Sequence, residues 1–231
     1  MKISLKDIQK AQKPKEEEWV FGYYVTRRIS KYFTFLILRL FPRINPTIIT
    51  CTASVFGISG AILLSFPNNL FWVIGSFLCF SFFIWDCVDG EIARIQRRAS
   101  EFGKYLDRFF HPVFNSTVLG FSGLGLYFYT QWRFLLYLAL FSMAFLSLSE
   151  VLEEVVEKKS RFDWVDKGIL IRIVKGLASF QGAIFLLFLA SLADACLNIF
   201  YFRLVLVSGI YIFMVLKTIS KEYSFLRSLR K

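Results

Sequence analysis

The chain has 231 residues, 56% of them hydrophobic, with 28 phenylalanines and a mean hydropathy of +0.53. A water-soluble core of this size needs fewer apolar residues, and here they come in runs of about 20, so a soluble domain is excluded in favour of an all-α polytopic membrane protein. The formal charge of +11 would suit a nucleic-acid partner, but the placement of the 28 Lys and Arg argues against one.

Residues 1–31 are polar and mixed in charge, with no apolar core near the start that reads as a signal peptide, so the N-terminus is expected to stay cytoplasmic. Residues 32–41 (YFTFLILRLF) are apolar but only ten long, flanked by Arg27, Arg28 and Lys31 and closed by Pro42 and Pro46. That is too short to span. It predicts an interfacial amphipathic helix on the inner leaflet, with a helix buried beneath the spans as the close alternative. Residues 1–45 thus form a cytoplasmic segment and residues 46–231 a membrane domain of six helices.

The first span is predicted over 47–66, with Asn45 as its cap before Pro46, and Pro67, Asn68 and Asn69 turn the chain outside. The second covers 70–94, the third 105–129, the fourth 134–152, the fifth 173–195 and the sixth 204–218. Of the 28 Lys and Arg, 25 fall in four segments: the N-terminus to Arg43, 94–104, 158–175 and the tail from Lys217. Only Arg133 and Arg203 lie near predicted outer loops, which puts both termini inside and turns a basic face toward anionic lipid. Cys51, Cys79, Cys87 and Cys196 lack CxxC spacing and read as small buried side chains, not a zinc site or disulfides.

The informative stretch is 85–112, WDCVDGEIARIQRRASEFGKYLDRFFHP. It places Asp86, Asp89, Asp107 and the single histidine, His111, in apolar segments, where each charge costs about 2.5–3.5 kcal/mol without compensation. At about 100° per residue, Asp86, Asp89, Gly90 and Ala93 share a stripe roughly 100° wide on the second span. Gly103, Asp107 and His111 recur every four residues on the next segment. Asp86 lies about 24 Å along its helix from Leu70, near the inner face. Such faces set together make an oxygen-rich site suited to Mg²⁺, Mn²⁺ or Ca²⁺. The competing view of each residue alone is a solvated or ion-paired side chain at the interface, with Asp89-Gly90 as a turn.

The pattern resembles the signature of the CDP-alcohol phosphotransferases: D, two residues, DG, two residues, AR, eight residues, G, three residues, D, three residues, D. Asp86, Asp89, Gly90, Ala93, Arg94, Gly103 and Asp107 match it in identity and spacing, and His111 takes the place of the last Asp. The resemblance implies transfer of a phospho-alcohol, in phospholipid synthesis a phosphatidyl group, from a CDP-alcohol such as CDP-diacylglycerol to an acceptor hydroxyl, with release of CMP. It also implies a homodimer and a two-metal site for Mg²⁺ or Mn²⁺. Asp86, Asp89 and Asp107 would ligate metal, and Asp89, Gly90, Ala93, Arg94 and Gly103 would line the CDP pocket. His111 would stand as base, as further ligand, or as both, and losing a carboxylate there weakens the second ion's hold.

Lys158, Lys159, Arg161, Arg172 and Lys175 read either as an anion pocket for the acceptor or as topology residues. Two rival readings are an inactive relative and a cation pathway. A pathway calls for ionisable groups near mid-membrane and an inverted repeat, whereas these cluster at one face.

Overall fold

The computed structural model describes residues 4–13, 20–156, 168–177 and 179–229. Among them no strand occurs. In chain order the helices are α1 (Leu5–Ala11), a π-helical turn (Gly22–Thr26), α2 (Arg27–Leu40), α3 (Pro46–Leu63), α4 (Asn69–Ile95), α5 (Glu101–Thr130), α6 (Arg133–Val156), α7 (Ile169–Leu177), α8 (Phe180–Leu197) and α9 (Tyr201–Leu229). The chain divides into two compact units, one built from residues 1–57, 78–110 and 160–185, the other from 58–77, 111–159 and 186–231.

In the first unit α1 begins with a capping box: the Asp7 N–H donates to Ser4 Oγ at 3.3 Å and the Ser4 N–H to the Asp7 carboxylate at 2.9 Å. Those Ser4 bonds hold the exposed Asp7 carboxyl below its usual range. In α2, Arg27, Ser30, Thr34 and Leu38 are buried at three- and four-residue spacing, while Tyr32, Phe33, Leu36 and Leu40 are exposed. This reverses the order of a water-soluble helix. A polar stripe turned inward and an apolar face turned outward is the arrangement that suits a helix lying at a lipid surface.

Leu38, Ile49, Val88 and Ile92 form a buried cluster that joins α2, α3 and α4 and fixes the face α4 can offer elsewhere. Asn45 caps α3 as expected, its Oδ1 accepting the Thr47 N–H at 3.1 Å. After α4 the chain reverses at Arg97, whose φ of 54° is left-handed. The Arg98 N–H then closes on the Ala93 carbonyl at 2.9 Å, a Schellman-type ending without the usual glycine. Ser100 starts α5 by accepting the Gly103 N–H at 3.0 Å, so α5 begins at Glu101 rather than Tyr105.

The predicted fifth span at 173–195 is corrected: α7 and α8 are separate helices. Ser179 interrupts them, donating to the Gly176 carbonyl at 2.6 Å and accepting the Gly182 N–H at 3.1 Å. The backbones approach so closely that a Cβ at Gly182 would stand 2.2 Å from the Gly176 carbonyl oxygen. With Ile169, Leu170, Ile173 and Val174 exposed, α7 is a second short amphipathic helix.

In the second unit α5, α6 and α9 are tied by buried hydroxyls. The Tyr211 hydroxyl donates to the Leu119 carbonyl at 2.9 Å and lies 2.8 Å from Ser122 Oγ, and Ser142 Oγ donates to the Tyr211 carbonyl at 3.2 Å. Arg203, in the first turn of α9 beside a predicted outer loop, is fully buried. Its Nε lies 3.1 Å from Asp194, its guanidinium covers the Phe200 ring at 3.9 Å, and it donates to Asn69. Asp194 also caps α9, accepting the Phe202 and Arg203 N–H groups at 3.0 Å each.

Gly125 permits the closest helix approach in this unit's described glycines: a Cβ there would lie 2.0 Å from the Leu64 carbonyl oxygen and 2.9 Å from the Trp72 ring. Gly125→Ala is therefore expected to cost about 1–3 kcal/mol despite alanine's better helix propensity. Gly209→Ala, where a Cβ meets nothing within 4 Å, is expected to be neutral or slightly stabilising. Thermal unfolding of both variants in detergent micelles checks the contrast.

Among the described residues four helices are long and apolar enough to cross a membrane: Pro46–Leu63, Asn69–Ile95, Phe180–Leu197 and Tyr201–Ser220. At 30 residues α5 is long enough, but Asn115, Ser116, Thr117 and Ser122 dilute its apolar content. In α6 the described apolar stretch is Arg133–Ser147. The architecture is thus an all-helical polytopic membrane protein. No cysteine forms a disulfide; Cys79 and Cys87 are buried as expected, whereas Cys51 and Cys196 are exposed. Lys158, Lys159 and Arg161 lie outside the described residues.

Candidate active site

The site is built on the C-terminal half of α4 and the first three turns of α5. Val88 and Ile92 bury one face of α4, which leaves Asp86 and Asp89 half-buried beside it. The left-handed turn at Arg97 and the Ser100 cap then bring the chain back, with Asp107 exposed and His111 one turn further along the same helix.

Asp86, Asp107 and His111 each offer one ligand atom, and these atoms lie within 4.8 Å of one another. Two carboxylate oxygens and an imidazole nitrogen suit a divalent cation that accepts mixed oxygen and nitrogen donors, and the spacing lets one ion reach all three. The fit is chemical as well as geometric, since the imidazole brings a donor without adding negative charge. Asp89 stands outside that trio. Its Oδ2 accepts the Thr50 hydroxyl at 2.5 Å, a bond from α3 that fixes the carboxylate. Asp86 and Asp107 are both near enough to bear on its charge.

The other motif residues divide by role in the fold. Gly90 faces the Arg94 guanidinium, which a Cβ at position 90 would meet at 3.2 Å. Arg94 Nε donates to the Ala11 carbonyl at the end of α1. Ala93 contributes its carbonyl to the turn that ends α4, and Gly103 contributes its N–H to the cap of α5. At the exposed start of α5, the hydrogen bond from Lys104, 2.6 Å away, holds the Glu101 carboxyl below its usual range.

One residue inside the motif was missed from the sequence. Glu91 is fully buried, with Oε1 accepting from Ser30 Oγ at 2.6 Å and Gln12 Nε2 at 2.8 Å, and Oε2 accepting from Thr34 Oγ1 at 2.5 Å. The Arg27 guanidinium lies 3.6 Å away. The available signal was the run Arg27, Ser30, Thr34 at helical spacing beside an unexplained carboxylate in an apolar helix.

An all-helical membrane protein with carboxylates and an imidazole converging between two consecutive helices is of the kind that handles phosphate esters with a divalent cation. The chain belongs to the CDP-alcohol phosphatidyltransferase family, whose sequence profile matches residues 43–210. No curated protein matches it. Among solved structures, the fold is similar to that of Mycobacterium tuberculosis phosphatidylinositol phosphate synthase (PgsA1) with CDP-DAG bound. The TM-score is 0.63 at 17% identity, over 85% of this chain and 92% of that one. The chain is accordingly a membrane CDP-alcohol phosphotransferase of phospholipid synthesis.

Proposed function

We propose that the enzyme takes CDP-diacylglycerol as donor and transfers its phosphatidyl group to an acceptor alcohol at the cytoplasmic face of the cell membrane. The observation that carries this is the convergence of Asp86, Asp107 and His111, with Asp89 anchored by Thr50 one turn away. The acceptor oxygen attacks the phosphorus that bears the diacylglycerol. A new P–O bond forms, the P–O bond of the anhydride bridge breaks, its electron pair leaves with CMP, and the acceptor's proton passes to His111.

Asp86, Asp89 and Asp107 would hold Mg²⁺ or Mn²⁺, which would supply positive charge against the pyrophosphate and the departing phosphate. With an imidazole at position 111 the site carries one carboxylate fewer than the family pattern, so a second ion would be held more weakly than the first. Gly90, Ala93, Arg94 and Gly103 line the CDP moiety, Arg94 supplying positive charge toward phosphate. Arg172 and Lys175 on α7 attract an anionic lipid headgroup or a phosphorylated acceptor. In this reading α5 and α6 complete six spans, both termini are cytoplasmic, and the protein works as a homodimer.

Purified enzyme incubated with labelled CDP-diacylglycerol, Mn²⁺ or Mg²⁺ and a panel of alcohols is expected to release CMP with at least one acceptor. EDTA is expected to abolish release and added metal to restore it. Absence of CMP with every acceptor, in protein that still binds Mn²⁺, would return the chain to a non-catalytic role. Mass measurement in nanodiscs tests the dimer.

A further inference from the structure

The N-terminal helix α1 touches the motif at two adjacent points. Gln12, just past its end, spends both amide hydrogens, one on Glu91 Oε1 at 2.8 Å and one on the Arg27 carbonyl at 2.9 Å. The residue before it, Ala11, offers its carbonyl to Arg94 Nε. Glu91 and Arg94 are three residues apart on α4, so one short piece of backbone is pinned to the buried carboxylate and in turn holds the arginine.

Burial keeps this anchor firm. Glu91 is fully enclosed and accepts from Ser30 and Thr34 as well, so its carboxylate is set by α2 before Gln12 reaches it. The Ile8 side chain, also fully buried, seats α1 itself. The Arg94 guanidinium is then laid against Gly90, where a side chain would crowd it. Without the Gln12 amide, the end of α1 loses its tie to α4 and the Ala11 carbonyl loses its fixed place.

We infer that Gln12 is a positioning residue for the transfer reaction: it holds the Ala11 carbonyl that aims Arg94 beside Gly90. This rests on the reading of Arg94 as a contact of the CDP moiety. Gln12 touches no substrate in this scheme. Its effect reaches the donor only through the arginine, so it falls on donor binding and not on the chemical step.

The test is steady-state kinetics of the full-length enzyme with CDP-diacylglycerol at saturating acceptor and Mn²⁺. Gln12→Met keeps the length and removes both donors. It is expected to raise KM for the donor about fivefold, the loss of roughly one net hydrogen bond, with kcat unchanged. Arg94→Ala is expected to raise the same KM by more. In the double variant the Gln12→Met effect is expected to disappear, because there is no arginine left to position.

Gln12→Met with an unaltered KM, or with a lowered kcat and melting temperature at constant KM, overturns the positioning role while Arg94→Ala still reports on the donor site. Additive KM effects in the double variant overturn it too, since they mean Gln12 acts elsewhere. Arg94→Ala with an unaltered KM removes the arginine from the donor site, and the inference falls with it.

Discussion

His111→Ala is expected to lower kcat by about a hundred- to ten-thousandfold, the usual worth of a positioned general base, while Mn²⁺ still binds. Asp86 and Asp107 remain to hold the cation, and alanine is the best helix former, so α5 is expected to persist. His111→Asp supplies the carboxylate that the family pattern has at this position. It is expected to bind Mn²⁺ more tightly, because a third negative charge joins the trio. CMP release, paired with Mn²⁺ titration, reads both variants. Intact turnover in His111→Ala at unchanged metal occupancy takes His111 out of the proton's path. Joint loss of turnover and metal, with joint rescue in His111→Asp, makes it a ligand instead.

The parts of the site that were legible in the sequence are those where helical spacing alone decides the outcome. Asp86, Asp107 and His111 converge because four-residue spacing puts the last two on one face of α5, while the buried Val88 and Ile92 leave Asp86 on another face of α4. The α3 start was legible for a similar reason, Asn45 followed by Pro46 being a local signal with one geometry. What composition could not reveal depended on contacts between distant segments. The break between α7 and α8 was hidden because both flanks are apolar, and it is marked by Ser179 folding back on Gly176 and Gly182. The burial of Arg203 was hidden because its partner Asp194 lies across the turn between two helices. In α2 the hydrophobic run hid the other face: the apolar residues turn outward, and Arg27, Ser30 and Thr34 turn inward around Glu91.

That inward stripe carries the largest expected effect on stability. Glu91→Ala deletes the acceptor for Gln12, Ser30 and Thr34 and takes the carboxylate away from Arg27, whose side chain is only 7% exposed. Removing one partner of a buried ion pair typically costs about 3–5 kcal/mol, because the remaining charge keeps its desolvation penalty without the attraction that offset it. Thermal unfolding in detergent, followed by tryptophan fluorescence, is expected to show that loss. Glu91→Gln, which keeps the shape and some of the hydrogen bonds, should fall between. The decisive comparison is Glu91→Leu combined with Arg27→Met. Both charges then leave together, so the double variant is expected to be more stable than Glu91→Ala although it changes more atoms. A Glu91→Ala protein that melts with the wild type would show that α2 is held to α4 by the Leu38, Ile49, Val88 and Ile92 cluster alone.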